Sequence, residues 1–411
     1  MQVPTARVPS AWHAPLPHDG RTGALVSWWS TFRDPALDAL ITVAETEHPS
    51  LDSAVSEIDR ARATLTAARA GLIPALSGSA AITGSGADGD RANRLATSGT
   101  ASGGLDASWE IDLFGKVRHR SAAARVRLDE RIAEWHGARV SLAAEVADTY
   151  VQWRACRQLE GALVGELKSQ RETRRAMEAA ETSGFRATGD VALVRAGAAS
   201  ASAALIGQQA QCEVLLKVLV RLTGGDEPRV RQLLRTSGRA LPTPAFLRLD
   251  AVPADALRQR PDINVLEMEV AATRSEIGAA EADQYPSLGL NGSVTLSGSS
   301  LTGTSLPWSF GPALSIPLVD GGIRRAAVRS AVAGYDAAVA AYRSGVLAAV
   351  AEIETALVRI DSARRQLGDA ESAARNYRAY FTTADANWKA GVASLLDREE
   401  ARRSAMTAEV Q

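Results

Sequence analysis

The stretch "AAEADQYPSLGLNGSVTLSG", residues 279–298, changes its period halfway through. Before Pro286 it reads as a helix, with Ile277, Ala280, Glu281 and Gln284 three to four residues apart. After Pro286 it alternates: Leu288, Leu290, Val294 and Leu296 share one parity with Gly292, and small or polar residues fill the other. That is a strand with one apolar face and one polar face. The same transition occurs near residue 74, in "AARAGLIPALSGSAAITG". Ala67, Ala68, Ala70, Pro74 and Leu76 match Ala279, Ala280, Ala282, Pro286 and Leu288 at a fixed offset of 212.

The repeat extends outward from there. "WEIDLF-GKVR" matches "LSIPLVDGGIR" with one insertion, "AEVADTYV" (144–151) echoes "AEIETALV" (351–358), and "ATGDVALV" (187–194) echoes "KAGVASLL" (389–396). The chain is therefore a duplicated helix–strand–strand–long-helix–turn–helix unit of about 200 residues. In the first copy, Leu105, Ala107, Trp109, Ile111 and Leu113 form one strand face, and Asp106, Ser108, Glu110 and Asp112 form the other. Gly115 opens a helix expected to run to about Ser183, on the order of 100 Å at ~1.5 Å per residue. "SGFRATGDV" (183–191) breaks it, and "TGGDEP" stops the helix that follows. In the second copy, strands are expected at 287–297 and about 308–318, and Gly321 and Gly322 open another long helix. Its Val332, Tyr335, Val339, Tyr342, Val346, Ala349 and Ile353 alternate steps of three and four, a heptad seam. Pro74, Gly115, Pro286, Gly321 and Gly322 are read as the corners where strand and helix meet.

Composition agrees with long, closely packed helices. Of 411 residues, 46 % are hydrophobic but only 5 % aromatic, and alanine supplies much of the apolar content. The formal net charge of −1, with 46 basic and 47 acidic residues interspersed, gives no field favouring nucleic acid. No transmembrane-length apolar run and no signal-peptide h-region are visible. His13, His18, His48, His119 and His136 have no ligand spacing, and no nucleophile elbow, P-loop or dinucleotide fingerprint is present. The reading is no enzyme, no cofactor and no metal. Cys156 and Cys212 form no CxxC pair. They lie at similar distances on either side of the 184–190 turn, so either a disulfide or two inert small side chains fits; the helix register decides.

Four two-faced strands cannot close a barrel alone, and open amphipathic edges are unstable. The expected fold is mainly helical with a small β part. Long coiled-coil helical hairpins alternate with β-hairpins, and several chains pool their strands into a transmembrane β-barrel continued by an α-helical tunnel.

These residues resemble the TolC superfamily of outer-membrane channels, in its OprM/NodT-type efflux branch. "WWSTFRDPALDALI" (28–41) is similar to that branch's opening helix, and "LRQRPDI" (257–263) to its signature at the start of the second repeat. "IGAAEADQYPSL" and "IPLVDGGIRRA" are similar to its corners. The resemblance covers nearly the whole chain. It implies a homotrimer with a twelve-stranded barrel in outer-membrane lipid, a periplasmic membrane-fusion adaptor, and an inner-membrane RND pump that supplies the energy. Nucleic acid is not an expected partner. The segments then divide as an extended arm at 1–27, an equatorial helical part at 28–74, a barrel hairpin at 75–113 and a helical hairpin at 114–225. An equatorial linker at 226–259, a helix at 260–286, a second barrel hairpin at 287–319 and a second helical hairpin at 320–411 complete the chain.

The resemblance also implies a periplasmic gate in "GVASLLDREEARR". Leu396 takes its apolar ring position, Asp397 and Glu400 the acidic rings, and Arg403 the basic one. Carboxylate rings at a narrow point select cations and respond to pH. The chain departs from the family pattern at Arg398 and Glu399, where apolar residues are usual. It carries no acylated cysteine, and it ends at Gln411, where the family's last helix runs further. A signal segment, a lipid anchor and a complete last helix are expected in the full form. The function so implied is a passive exit duct for small molecules in a tripartite efflux system. The alternatives are a truncated relic or non-transporting helical scaffold, and a type I protein-secretion duct.

Overall fold

The computed structural model describes residues 25–87, 96–238, 240–244, 257–299 and 303–411. The amino-terminal arm expected at 1–27 lies almost wholly outside them, as does part of the 226–259 linker. The chain forms two compact units. Of the described residues, one comprises those of Ser53–Gly137 and Leu257–Ala348 and the other those of 25–52, Ala138–Ala256 and Ala349–Gln411. Each unit draws on both copies of the repeat.

The first unit is built on a sheet. Strands β1 (Ala75–Ala87), β2 (Ala96–Ile111) and β3 (Ser287–Ser299) pair antiparallel in that order. A short strand β4 (Gly303–Ser305) and β5 (Trp308–Ser315) both pair with β3. β5 ends at Ser315, earlier than the sequence suggests, two residues before Pro317, whose missing N–H cannot extend a ladder. β4 is an addition that its three residues do not announce.

The same unit holds most of α2 (Pro49–Ala70), the start of α3 (Lys116–Thr182), α6 (Pro261–Ala282) and the start of α7 (Ile323–Lys389). The "LRQRPDI" signature has a local physical meaning. Pro261 takes the first helical position of α6, where its missing N–H costs nothing, and Asp262 sits in the positive first turn, ion-paired to Arg260 at 2.8 Å. Small residues bring the helices close. Ile263, Val270, Ala272 and Ala279 of α6 are buried, as are Ala123, Ala124 and Ala133 of α3. At Gly345 of α7 a Cβ would fall 2.3 Å from the tip of the Leu266 side chain, which would have to turn aside. Of the expected heptad seam, Val346 is buried in this unit, whereas Val332 stays exposed.

The second unit is all helix among the described residues. A 3-10 helix, Leu25–Phe32, precedes α1 (Pro35–Glu47). Asp34 caps α1, one carboxylate oxygen accepting from the Ala36 and Leu37 amides at 3.0 and 3.3 Å. Its other oxygen accepts from the Tyr150 hydroxyl at 2.8 Å and from Arg154 at 3.0 Å, so the cap also bolts α1 to α3. Tyr150 is fully buried, and burial pushes its phenol up to about 12. The remaining part of α3 packs with α4 (Thr188–Leu222), α5 (Glu227–Arg235), the rest of α7 and α8 (Leu395–Val410). Leu37, Leu40 and Ile41 of α1, Val146 of α3, Leu219 and Leu222 of α4, and Val230 of α5 fill its core.

The register that the sequence leaves open brings Cys156 and Cys212 together. They form a disulfide joining α3 to α4, with Cα atoms 5.6 Å apart and a separation of 56 positions in sequence. The inert-thiol alternative is thereby set aside. Replacing both cysteines with serine is expected to cost about 2–4 kcal/mol by releasing the closed loop in the unfolded chain. Urea unfolding followed in the second unit, with and without reductant, measures it; unchanged midpoints would mean that packing alone holds the hairpin.

Candidate functional site: a two-faced sheet, its corners and a charged terminal helix

Register makes the sheet two-faced without a break. Leu76 pairs with Ala107 and Ile82 with Ala101. Leu105 pairs with Val294, Gly103 with Leu296 and Trp109 with Leu290. Leu288 pairs with Leu314, Gly292 with Phe310 and Val294 with Trp308. All these share one side. Ile82 is 88 % exposed and Trp308 and Phe310 each 75 %, far more contiguous apolar surface than a water-facing sheet keeps. The opposite side carries Ser77, Ser79, Thr83, Ser102, Asp106, Ser108, Glu110, Asn291, Thr295 and Ser297. Hydroxyls there bond across strands, Ser293 to Ser309 at 2.8 Å and Ser297 to Ser305 at 2.9 Å. Among the described residues, the outer edges of β1 and β5 have no strand partner.

The corner residues sit where strand gives way to helix. Pro74 and Pro286 immediately precede β1 and β3. Gly115 (φ +81°), Gly321 (+62°) and Gly322 (+91°) adopt left-handed backbone ahead of α3 and α7, a conformation that disfavours any Cβ. The two copies cap these helices with different residues. Asp112 accepts from the Val117 and Arg118 amides at 3.0 and 2.9 Å. Asp320, the inserted residue of the second copy, accepts from those of Gly322 and Arg324 at 2.9 and 3.2 Å. Asp283, just after α6, joins both corners through Lys116 at 2.6 Å and Arg324 at 3.9 Å. The hydrogen bond from Lys116 leads the effects that hold its carboxyl below the usual range. Phe114 and Tyr285 stack beside it, centroids 4.7 Å apart.

The expected gate residues lie on α8. Ser394 caps it. Its hydroxyl accepts from the Asp397 amide at 3.1 Å, and the Asp397 carboxylate accepts from the Ser394 amide at 3.2 Å, a reciprocal capping box. The Ser394 hydroxyl, then its amide, hold the Asp397 carboxyl below the usual range, so it stays ionised well into acid. Leu396, Asp397, Glu400 and Arg403 are all exposed; Asp397, Glu400 and Arg403 follow at steps of three and Leu396 lies four before Glu400, so they share one side of the helix.

The opposite side of α8 holds what sequence reasoning missed. Arg398 and Arg402 are 5 % and 3 % exposed. Arg398 donates to Asp385 at 2.5 Å, Glu399 at 2.7 Å and Thr173 at 3.1 Å, and lies 4.5 Å over the Trp388 ring. Arg402 reaches Thr173 at 3.4 Å, Glu399 at 3.4 Å and Glu166 at 3.9 Å. Gln170 bridges Glu166 and Glu399 at 2.9 and 3.0 Å. Beside this network, Met177, Val191, Val194 and Leu395 form an apolar cluster with Trp388 against it. The signal was in "DREEARR": Arg398 and Arg402 are four apart on one face. Charge at that spacing ordinarily marks a solvated face, and the acids that bury it come from α3 and α7.

No group of three or more metal-binding side chains occurs among the described residues.

The outer membrane efflux protein family model matches residues 40–225 and 252–411. Nodulation protein T of Rhizobium leguminosarum bv. trifolii is 31 % identical over 388 residues, 92 % of this chain and 82 % of that protein. Outer membrane protein OprJ of Pseudomonas aeruginosa is 30 % identical over 436 residues, 99 % and 86 % of the two chains. The solved outer-membrane channel OprN superposes with a TM-score of 0.84 at 26 % identity, covering 100 % of this chain and 94 % of its own. The chain belongs to the outer membrane efflux protein family, and is an outer-membrane efflux channel, with no enzymatic step of its own.

Proposed function

We propose that three copies pool their hairpins, residues 75–113 and 287–319 of each, into one twelve-stranded barrel. The helical hairpins 114–225 and 320–411 then form a periplasmic tunnel, and small molecules leave through it passively. The observation that carries this reading is the sheet's unbroken apolar face bounded by unpaired strand edges. Lipid satisfies that face, and neighbouring copies satisfy the edges. The polar side, lined with hydroxyls and small groups, faces the water-filled lumen. A periplasmic adaptor and an inner-membrane RND pump are the partners; the pump selects the cargo and supplies the energy. The efflux relatives give a non-transporting scaffold or a protein-secretion duct no comparable support.

The exposed side of α8 fits the gate. Leu396 supplies an apolar ring, Asp397 and Glu400 two acidic rings, and Arg403 a basic one. The capping box keeps Asp397 charged, which favours cation binding at the constriction. The buried side anchors this helix through charge, so the gate helix rests on directional contacts to α3 and α7.

Native mass of the detergent-extracted chain tests the assembly: a trimer is expected, and a stable monomer in the membrane would sink it. Leu105→Lys, on the apolar face in mid-strand, should disfavour insertion by about 2–4 kcal/mol, read as loss of the heat-resistant oligomer, while Ser102→Thr on the other face should be neutral. Asp397→Ala with Glu400→Ala should raise single-channel conductance and weaken block by divalent cations. Unchanged conductance in a verified trimer would remove these two residues from the gate. Glu399→Ala leaves Arg398 and Arg402 buried with fewer counter-charges, and should cost about 3–5 kcal/mol, seen as faster amide exchange throughout α8.

A further inference from the structure

The apolar side of the sheet is not evenly filled. Across β1, β2 and β3 its rows run Leu76–Ala107–Gly292, Gly78–Leu105–Val294, Ala80–Gly103–Leu296 and Ile82–Ala101–Gly298, and Gly84 then pairs with Gly99. Above Leu105, β2 therefore presents only Gly103, Ala101 and Gly99 on this side. Exposed Ile82 stands on the strand to one side and exposed Leu296 on the strand to the other. Between them lies a hollow of about 660 Å³, lined by Ala80, Ile82, Ala101, Gly103, Leu296 and Gly298. It is a groove along β2, stopped at its lower end by Leu105. From Leu105 to Gly99 it runs roughly 20 Å, and its walls stand two strand spacings apart, about 10 Å.

Contacts within the chain do not account for the bare floor. Glycine inside a strand gives up packing, and it marks places where a ligand comes close. On the polar side Gly104 has an internal cause, since a Cβ there would meet the Thr295 hydroxyl at 3.0 Å and the Val294 carbonyl oxygen at 3.1 Å. On the apolar side a Cβ at Gly84 or Gly99 would meet nothing within 4 Å, and one at Gly103 only the Ser79 carbonyl oxygen at 3.9 Å. Apolar side chains would fit at all three positions.

The depth of the groove follows from the register. β1 and β3 start from α2 and α6, and β2 and β5 lead into α3 and α7. With the helices periplasmic, the opposite strand ends point outward. The apolar rows begin at Ile111–Leu288–Leu314 and continue through Trp109–Leu290 to Ala101–Gly298. In a tilted strand each row adds about 5 Å of height, so these rows make up a band of about 25 Å, the thickness expected of a barrel's lipid-facing belt. The groove occupies the outer part of that band.

We propose that the groove seats one acyl chain of an outer-leaflet lipopolysaccharide, an inference that rests on the barrel reading, in which this side of the sheet meets lipid. Its depth selects the outer leaflet, and it is continuous with the apolar face below it. None of its lining residues is charged, so hydrocarbon contact is what it offers. A helix, about 10–12 Å across with its side chains, is too wide for it. A methylene chain lying along β2 supplies the dispersion contacts that the glycines forgo.

Native mass spectrometry of the full chain, extracted from outer membranes in mild detergent, tests this. The parent trimer should carry lipopolysaccharide, one molecule per chain, after washing has removed other lipid. Gly103→Leu and Gly99→Leu fill the groove from its floor. Each adds an apolar group on the lipid side, so both should trimerise as the parent does and lose the adduct at least tenfold. Ala107→Leu, on the same side two rows below Gly103, should keep it. Trimers of both groove variants with parental lipopolysaccharide would overturn the proposal. So would a parent trimer that carries glycerophospholipid or detergent alone. Absence of a trimer from the parent itself would instead remove the barrel reading, and this inference with it.

Discussion

A β-strand sends consecutive side chains to opposite sides, so a sheet between two solvents has no freedom of register. A one-residue slip of β2 would move Leu105 and Trp109 to the hydroxyl side and put Asp106 and Glu110 on the apolar side. The observed pairing keeps every large apolar residue opposite an apolar or glycine partner across β1, β2, β3 and β5. Much else in the first unit serves that constraint. Pro74 and Pro286 start the strands in phase, the left-handed glycines release the chain into helix, and Asp283 joins the two corners. In the proposed assembly other copies complete the sheet, which ties its folding to association.

The strands and corners were legible because their signals are local. Alternation can be read from a few residues, and proline or glycine marks its ends. The duplication strengthened both, since each copy repeats the other's punctuation. What stayed hidden depended on register between distant helices. Cys156 and Cys212 read more readily as inert packing than as a bond, because a turn of unknown geometry separates them. Arg398 stood out in the sequence only as a departure from the family pattern, and Arg402 did not stand out at all. Their burial depends on Glu166, Gln170 and Thr173, more than two hundred residues earlier, and on Asp385. The face carrying Leu396, Asp397, Glu400 and Arg403 could be read from the resemblance, while the face that holds the helix in place could not.

That inner face also suggests how a terminal helix can be both well placed and movable. Apolar packing tolerates sliding but resists separation. A buried guanidinium with two or three directed partners specifies one position, while its net contribution is offset by the desolvation of the charges involved. Arg402 illustrates the offset, since two of its nitrogens are buried without a hydrogen bond. The Asp34–Tyr150–Arg154 cluster uses the same kind of contact, with its carboxylate fully engaged, where α1 only has to stay fixed.

The two helix caps at the corners have a consequence for the history of the chain. Asp112 and Asp320 perform one task, yet they are not descendants of one residue: opposite Asp112 the second copy has Pro317, and opposite Asp320 the first copy has a gap. After duplication, each copy kept the requirement and met it with a different atom at a different distance along the chain. What was inherited at these corners is an electrostatic vacancy at a helix start, and two lineages of residues inside one polypeptide have filled it independently.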